Sequence, residues 1–323
     1  MIQVAAKAPP TTTNNFTLLF LSMNLLFLII IFTAIGGVLS VLAASVFLLL
    51  SDSMRAKVLP HGISFATGAL LAVAFWGLIP HAFEEVAPSE IQTLSGSIML
   101  GLLLFFTLEK LLIWRHCHSS SCEVHIDTDE HDEHGDSHDH GSHKSAGTMI
   151  LIGDGIHNFV DGVLIAAAFL TDVQLGIVTS LAVAAHEIPQ EVGDFAILLH
   201  SGFSKKKALI YNVLASLTTV LGGVLAYYSL AGLHDSLPYF LAIASSSFIY
   251  IAVADLIPTL HKKTDIKTSL QQIALILAGV VLIVSLHGVA HDIQLEDADN
   301  HAVSARLKGA DKHTDHKSRM NIF

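Results

Sequence analysis

The chain is 323 residues long, 52% hydrophobic and only 14% charged, with a formal net charge of −11 and a mean hydropathy of +0.60. Soluble domains carry roughly 25% charged residues, so this composition excludes an ordinary soluble enzyme or binding module. Its two cysteines, Cys117 and Cys122 in one polar loop, exclude a disulfide framework, and no basic patch with interleaved aromatics points to nucleic acid.

The apolar residues come in blocks of about 20 or more, the length that crosses a hydrocarbon core. Eight such blocks predict an all-α, polytopic membrane protein: one transmembrane domain over residues 1–292 and a polar tail over 293–323. The first block, residues 16–50, is longer than one span needs. Either it is one extended, tilted helix, or residues 16–31 form a separate interfacial or signal-like piece; the first span is placed at 27–50. The others are expected at about 60–80, 94–114, 147–170, 174–200, 206–230, 237–260 and 270–291.

Loop charge sets the orientation. Links after the first, third, fifth and seventh spans carry Arg55 and Lys57, Arg115 and Lys144, Lys205 to Lys207, and Lys262, Lys263 and Lys267. The alternate links, HAFEEVAPSE, TDVQ and HDSLP, hold no Lys or Arg. The positive-inside rule makes the basic links cytoplasmic and puts both termini on the non-cytoplasmic side of the cell (inner) membrane. Five basic residues in the C-terminal tail fit this poorly, but lie beyond the window where the rule is strongest.

The basic link over residues 116–146 is compositionally biased. Between His116 and His143 it holds eight histidines and eight carboxylates. Such a segment buries no core and is expected to be disordered, with clustered imidazoles and carboxylates that exchange transition metals quickly.

The chemistry concentrates in the fourth and fifth spans. An ionisable group near the bilayer centre costs about 2.5–3.5 kcal/mol on insertion scales, so it persists where it faces a cavity, a partner or an ion. The fourth span reads GDGIHNFVDG: His157 and Asp161 are four apart on one face, Asn158 lies beside them, and Asp154 sits one turn earlier. The fifth reads HEIPQEVGD: His186 pairs with Gln190, Glu187 with Glu191, and Asp194 extends the stripe. Pro189 lacks an N–H and crowds the carbonyl of Ala185. The metal ligands expected from this stripe are His157, Asn158, Asp161, His186, Glu187, Gln190, Glu191 and Asp194. Imidazoles, carboxylates and carboxamides without thiolate suit Zn²⁺ and, less selectively, Fe²⁺, Mn²⁺ or Cd²⁺. One buried His or Asp alone would read as an interhelical hydrogen bond; a stripe on two consecutive helices reads as an ion path. His81, Glu84 and Glu85 at the outer end of the second span read equally as an entrance or as an interfacial charged face, while Asp255, His261, His287, His291 and the Glu109-Lys110 pair read as structural or interfacial.

In HNFVDG (157–162) and HEIPQEVGD (186–194), preceded by a histidine-rich loop, the chain resembles the ZIP family of zinc and iron transporters. FFTLEK, GFSKKKAL and IPTLH add to the likeness. The resemblance implies eight helices in a 3+2+3 inverted-repeat arrangement and outside termini. It also implies ligands at His157, Asn158, Asp161, His186, Glu187 and Gln190. Two departures stand out. Gln190 replaces a histidine common in one branch, and SLTTVLGG in the sixth span lacks the carboxylate that serves a second metal in some bacterial members.

The function expected is transport of a divalent transition metal, zinc first, toward the cytoplasm. No prosthetic group is expected; the partners are the metal ion and the lipid bilayer, with a homodimer left open. A metal sensor or receptor that binds without transport is the alternative. An intramembrane metalloprotease is disfavoured, because it needs HExxH and position 190 is Gln.

Overall fold

The computed structural model describes residues 15–117, 140–262 and 265–288. The stretch 118–139 of the histidine-rich link, Cys122, His291 and the tail 293–323 lie outside the described residues. Among the described residues the chain is helical throughout, with no strand. Helix α1 runs Asn15–Ala34, passes a π-turn at Ile35–Leu39 and continues as Ser40–Phe47. Helix α2 comprises Asp52–Ala72, a π-turn at Val73–Leu78 and Ile79–Glu84. Then come α3 (Ile91–Cys117), α4 (His140–Thr171), α5 (Val173–His200) and α6 (Lys205–Leu230). Helix α7 is Leu237–Tyr250, a π-turn at Ile251–Leu256 and Ile257–Leu260, and α8 is Ile266–Gly288.

Among the described residues, seven segments are long and apolar enough to cross a membrane: Asn24–Phe47, Ser53–Glu84, Pro88–Leu111, Gly147–Thr171, Lys205–Leu230, His234–Leu260 and Ile266–Gly288. The chain is an integral membrane protein. Residues 16–31 are no separate segment, because α1 is continuous through them. Helix α5, with 28 residues, is long enough, but His186, Glu187, Gln190, Glu191 and Asp194 lower its apolarity below that of the seven. It tolerates them because α1, α2, α4 and α6 pack around it, so protein replaces lipid as its surroundings.

Small residues set the helix crossings. A Cβ on Gly162 of α4 would collide with the carbonyl of Thr219 on α6, and one on Gly222 with the carbonyl of Phe159. The backbones of α4 and α6 therefore touch, as small residues allow in membrane bundles. Gly155 pairs with Thr218, Asn158 with Thr219 and Gly162 with Gly223, a register that rises on both helices, so α4 and α6 are parallel. Helix α5, between them in the chain, runs back alongside α4. Asp154 lies by Glu191 and Asp161 by His186, the falling register of an antiparallel pair.

Short links hold these three helices in place. Asp172 alone separates α4 from α5 and caps α5, accepting from Gln174 N and Leu175 N at 2.9 Å each. The turn into α6 uses Gly202 at φ +83°, a conformation that favours glycine, and Ser204 caps α6.

Helices α2 and α7 share an unusual local form. Each carries a π-turn followed by Ile-Pro (79–80 and 257–258). Proline lacks an N–H and clashes with the carbonyl four residues back, here Trp76 and Ala254, both inside the π-turns. The wider turn relieves that clash, and Ile79 N–H and Ile257 N–H reach back five residues to Ala74 O and Ala252 O. Helix α2 packs closely on α8, with Gly68 at Ile276 and Gly279 at Phe65, and α3 packs on α7, with Gly101 at Ser246. Ser246 donates to Ile98 O at 2.8 Å across the second crossing.

Candidate metal centre

Four ligand atoms from α4 and α5 converge at one depth. His157 Nε2 lies 3.4 Å from His186 Nε2, 3.4 Å from Glu187 Oε1 and 3.8 Å from Asp161 Oδ2. His186 Nε2 lies 3.2 Å from the same Asp161 oxygen and 3.4 Å from the same Glu187 oxygen. A tetrahedral zinc with bonds near 2.0–2.1 Å sets neighbouring ligand atoms about 3.3–3.5 Å apart. Four edges of this N₂O₂ set, at 3.2–3.4 Å, are close to those of a tetrahedron, and the His157–Asp161 edge is longer at 3.8 Å.

The surroundings suit a cation. Asp161 and Glu187 are fully buried, His186 is 1% exposed and His157 retains 25% side-chain exposure. Both Asp161 oxygens and both Glu187 oxygens lack a hydrogen-bond partner. From Gly147 to His200 the chain has no Lys or Arg. The two histidines are the only groups within ion-pair distance of these carboxylates among the described residues, and a buried carboxylate left uncompensated costs several kcal/mol. His186 Nδ1 sits 3.3 Å from Ala182 O, and donation to that carbonyl leaves Nε2 as the lone-pair nitrogen, the usual arrangement behind a metal-binding histidine. Phe248 of α7, fully buried, lies 6.5 Å from the His186 ring between centroids and closes the far side.

The remaining stripe residues divide. Glu191, Glu187 and Asp154 form a second group, with one oxygen from each within 4.8 Å of the others. Asn158 is committed elsewhere: its Nδ2 donates to Asp154 Oδ1 at 2.8 Å and its Oδ1 accepts from Thr219 at 2.7 Å. Gln190 and Asp194 are half-buried, and Asp194 belongs to neither group. Helix α5 stays helical through Pro189.

Sequence reasoning passed over α6, whose hydroxyls support the centre. Ser216 donates to Glu191 Oε1 at 2.9 Å, and Thr218 donates to Gly155 O at 2.7 Å. The signal was available: Asn212, Ser216, Thr219 and Gly223 recur at helical spacing, all buried, on an otherwise apolar span. Farther off, Tyr250 donates to Glu109, and the His81 ring meets the His287 ring edge-on, 5.4 Å between centroids.

The fold is an all-helical membrane bundle, and its buried imidazole–carboxylate group on two antiparallel helices is of a kind that could hold a metal ion. The family model of the ZIP zinc transporters matches residues 20–287, and the chain belongs to that family, one of transporters and not of enzymes. It is 32% identical over 234 residues to zinc transporter ZIP13 of Pongo abelii, covering 69% of this chain and 65% of that protein. It is 30% identical over 284 residues to the metal cation symporter ZIP14 of Mus musculus, covering 69% and 58%. Zinc transporter ZIP4 of Homo sapiens is 43% identical over 117 residues, 36% of this chain and 18% of that protein. The chain spans less than two thirds of the length of each of these relatives.

Proposed function

We propose that the protein carries a divalent transition metal, zinc first, across the membrane toward the side of the basic links, through the cage formed by His157, Asp161, His186 and Glu187. The observation that carries this reading is the near-tetrahedral N₂O₂ set in an interior without basic side chains. Two imidazoles and two carboxylates favour zinc over manganese, which prefers six oxygen donors. No thiolate is present to make binding too tight for release, and passage needs a site that lets go.

The topology follows from helix direction. Helices α4 and α6 are parallel and each is membrane-length, so α5, antiparallel to both, crosses as well. That supports eight crossings with both termini on one side, and the alternating loop charge favours the non-cytoplasmic side for them. The matched π-turn-Pro units of α2 and α7 support an inverted repeat in which α1, α2 and α3 correspond to α6, α7 and α8. Under that correspondence the α2–α8 crossing maps onto the α7–α3 crossing. Helices α4 and α5 then lie between the repeats.

The test is uptake of radioactive zinc by proteoliposomes holding the purified full chain, with His157→Ala and Glu187→Ala as comparisons. Zinc accumulation lost in both variants supports the reading. Zinc binding without uptake by the wild type would instead make the protein a receptor.

A further inference from the structure

Helices α4 and α6 touch along their middle and part toward their N-terminal ends. A Cβ on Gly162 would stand 1.9 Å from Thr219 O, whereas one on Gly155 would meet nothing closer than Thr218 Cγ2 at 4.0 Å. The wedge that opens between them is a groove of about 540 Å³, within the range of pockets that bury an organic ligand. Leu151, Ile152, Ile156 and Phe159 of α4 and Tyr211 and Leu214 of α6 form its walls. Two polar groups that border it satisfy each other, since Thr218 donates to Gly155 O at 2.7 Å.

The groove opens outward. Ile152, Ile156 and Leu214 are 51%, 50% and 55% exposed on two helices that cross the membrane, so lipid chains are what they meet. From Thr148 to Phe159, which bound the groove on α4, the helix rises about 16 Å. One leaflet of the hydrocarbon core is about 15 Å deep, so the groove has the length of one acyl chain. Its open end carries charge. Lys205, Lys206 and Lys207 are all exposed in the first turn of α6, where the helix dipole adds to their field. Among the described residues no carboxylate lies within ion-pair distance of them. Between the lysines and the groove stands Tyr211, its ring edge-on to Phe203 at 5.8 Å between centroids. Tyrosine favours the level where headgroups meet hydrocarbon.

We propose that the α4–α6 groove seats an acyl chain of one anionic phospholipid, whose phosphate is held by Lys205, Lys206 and Lys207. An apolar slot of leaflet length with three uncompensated cations at its mouth matches the two halves of that molecule. A zwitterionic lipid fills the slot equally well but brings a second charge that the lysines repel. The site is separate from the metal cage, because α4 turns His157 and Asp161 to α5. A chain in the wedge braces the parted ends of α4 and α6 against each other. The proposal needs only that these two helices cross the membrane, and it stands apart from the transport reading.

The experiment is native mass spectrometry of the purified full chain in mild detergent, offered dioleoyl phosphatidylglycerol or dioleoyl phosphatidylcholine. Wild type is expected to retain one phosphatidylglycerol, about tenfold or more in preference to phosphatidylcholine, and to unfold at higher temperature with it. Lys205→Gln, Lys206→Gln and Lys207→Gln combined should cut that preference below about threefold. Ile152→Trp combined with Leu214→Trp fills the groove from two half-exposed positions and should lose the retained lipid with all three lysines in place. Zinc affinity by calorimetry, unchanged in both variants, shows that they fold. Dihexanoyl phosphatidylglycerol, with the same headgroup on short chains, should not be retained. Equal retention of the two dioleoyl lipids by wild type would mean ordinary boundary lipid and overturns the proposal. So does undiminished retention by the tryptophan pair, or a short-chain lipid held as well as the long, which would leave an anion site alone. If the tryptophan pair fails to bind zinc, the lysine variant and the short-chain lipid decide the matter by themselves.

Discussion

The Nε2 atoms of His157 and His186 lie 3.4 Å apart although 29 residues separate them in the chain. With its Nδ1 directed at Ala182 O, His186 presents a lone pair at Nε2, and His157 Nε2 faces it across the same small space. Two lone pairs so placed need a proton or a metal between them. Asp161 and Glu187 complete the set, and removing one member leaves the others buried without compensation. His157→Ala, Asp161→Ala, His186→Ala and Glu187→Ala are each expected to lower zinc uptake by more than about tenfold while the protein still inserts. Uptake per inserted protein checks this; wild-type rates in two of the four would remove the assignment.

The contact between α4 and α6 gives a stability prediction. Gly162 has no room for a Cβ, because Thr219 O and the Gly223 backbone already occupy that space. Gly162→Ala must push two backbones apart, a cost of about 1–3 kcal/mol or more. Gly193 on α5 has nothing within 4 Å of where a Cβ would stand, and Gly193→Ala gains helix propensity, up to about 1 kcal/mol. Thermal unfolding in detergent should therefore move in opposite directions for the two variants. A Gly162→Ala protein as stable as wild type would show that the crossing is looser than described.

Much of this was legible in the chain because lipid imposes strong constraints. Apolar blocks of spanning length located the helices, and the periodicity of His157, Asp161, His186 and Glu187 put those four on facing stripes. What depended on partners was not legible. Asn158 has the residue type and spacing of a ligand, yet both ends of its carboxamide are taken by Asp154 and Thr219. Asp154 looked like an outlying member of the stripe, and only the antiparallel register of α5 brings it to Glu191. The hydroxyls of α6 carry no charge, so a search for carboxylates passed over Ser216. The π-turns of α2 and α7 leave no hydropathy signal; their trace is the repeated Leu-Ile-Pro at 78–80 and 256–258, which is weak until the backbone is seen.

The histidine-rich link leads to a separate expectation. Its eight histidines and eight carboxylates between His116 and His143 lie outside the cage, and α4 supplies its ligands beyond the link. Deleting residues 119–142 should leave uptake intact and change only its response to metal on the side of the link. Uptake measured at several internal zinc concentrations tests this, and complete loss in a correctly inserted deletion would place the link on the path.

Gln190 gives the sharpest test of the cage. It lies four residues after His186 on α5, so the two side chains share a face, and it is half-buried. A carboxamide oxygen competes poorly for zinc. Gln190→His adds an imidazole on that face, one whose nitrogen binds zinc better than any oxygen it would displace. The half-saturating zinc concentration should fall, by no more than about tenfold because one donor in a mixed set changes. Maximal rate should stay level or drop, since an ion held more tightly leaves more slowly. Discrimination should move toward zinc and away from manganese, which gains less from nitrogen. If Gln190 instead serves only to pack the helices, the same substitution lowers the yield of inserted protein and leaves the half-saturating concentration where it was. Uptake against zinc concentration for both forms, normalised to inserted protein, separates the two; an unchanged half-saturation places Gln190 outside the reach of the ion.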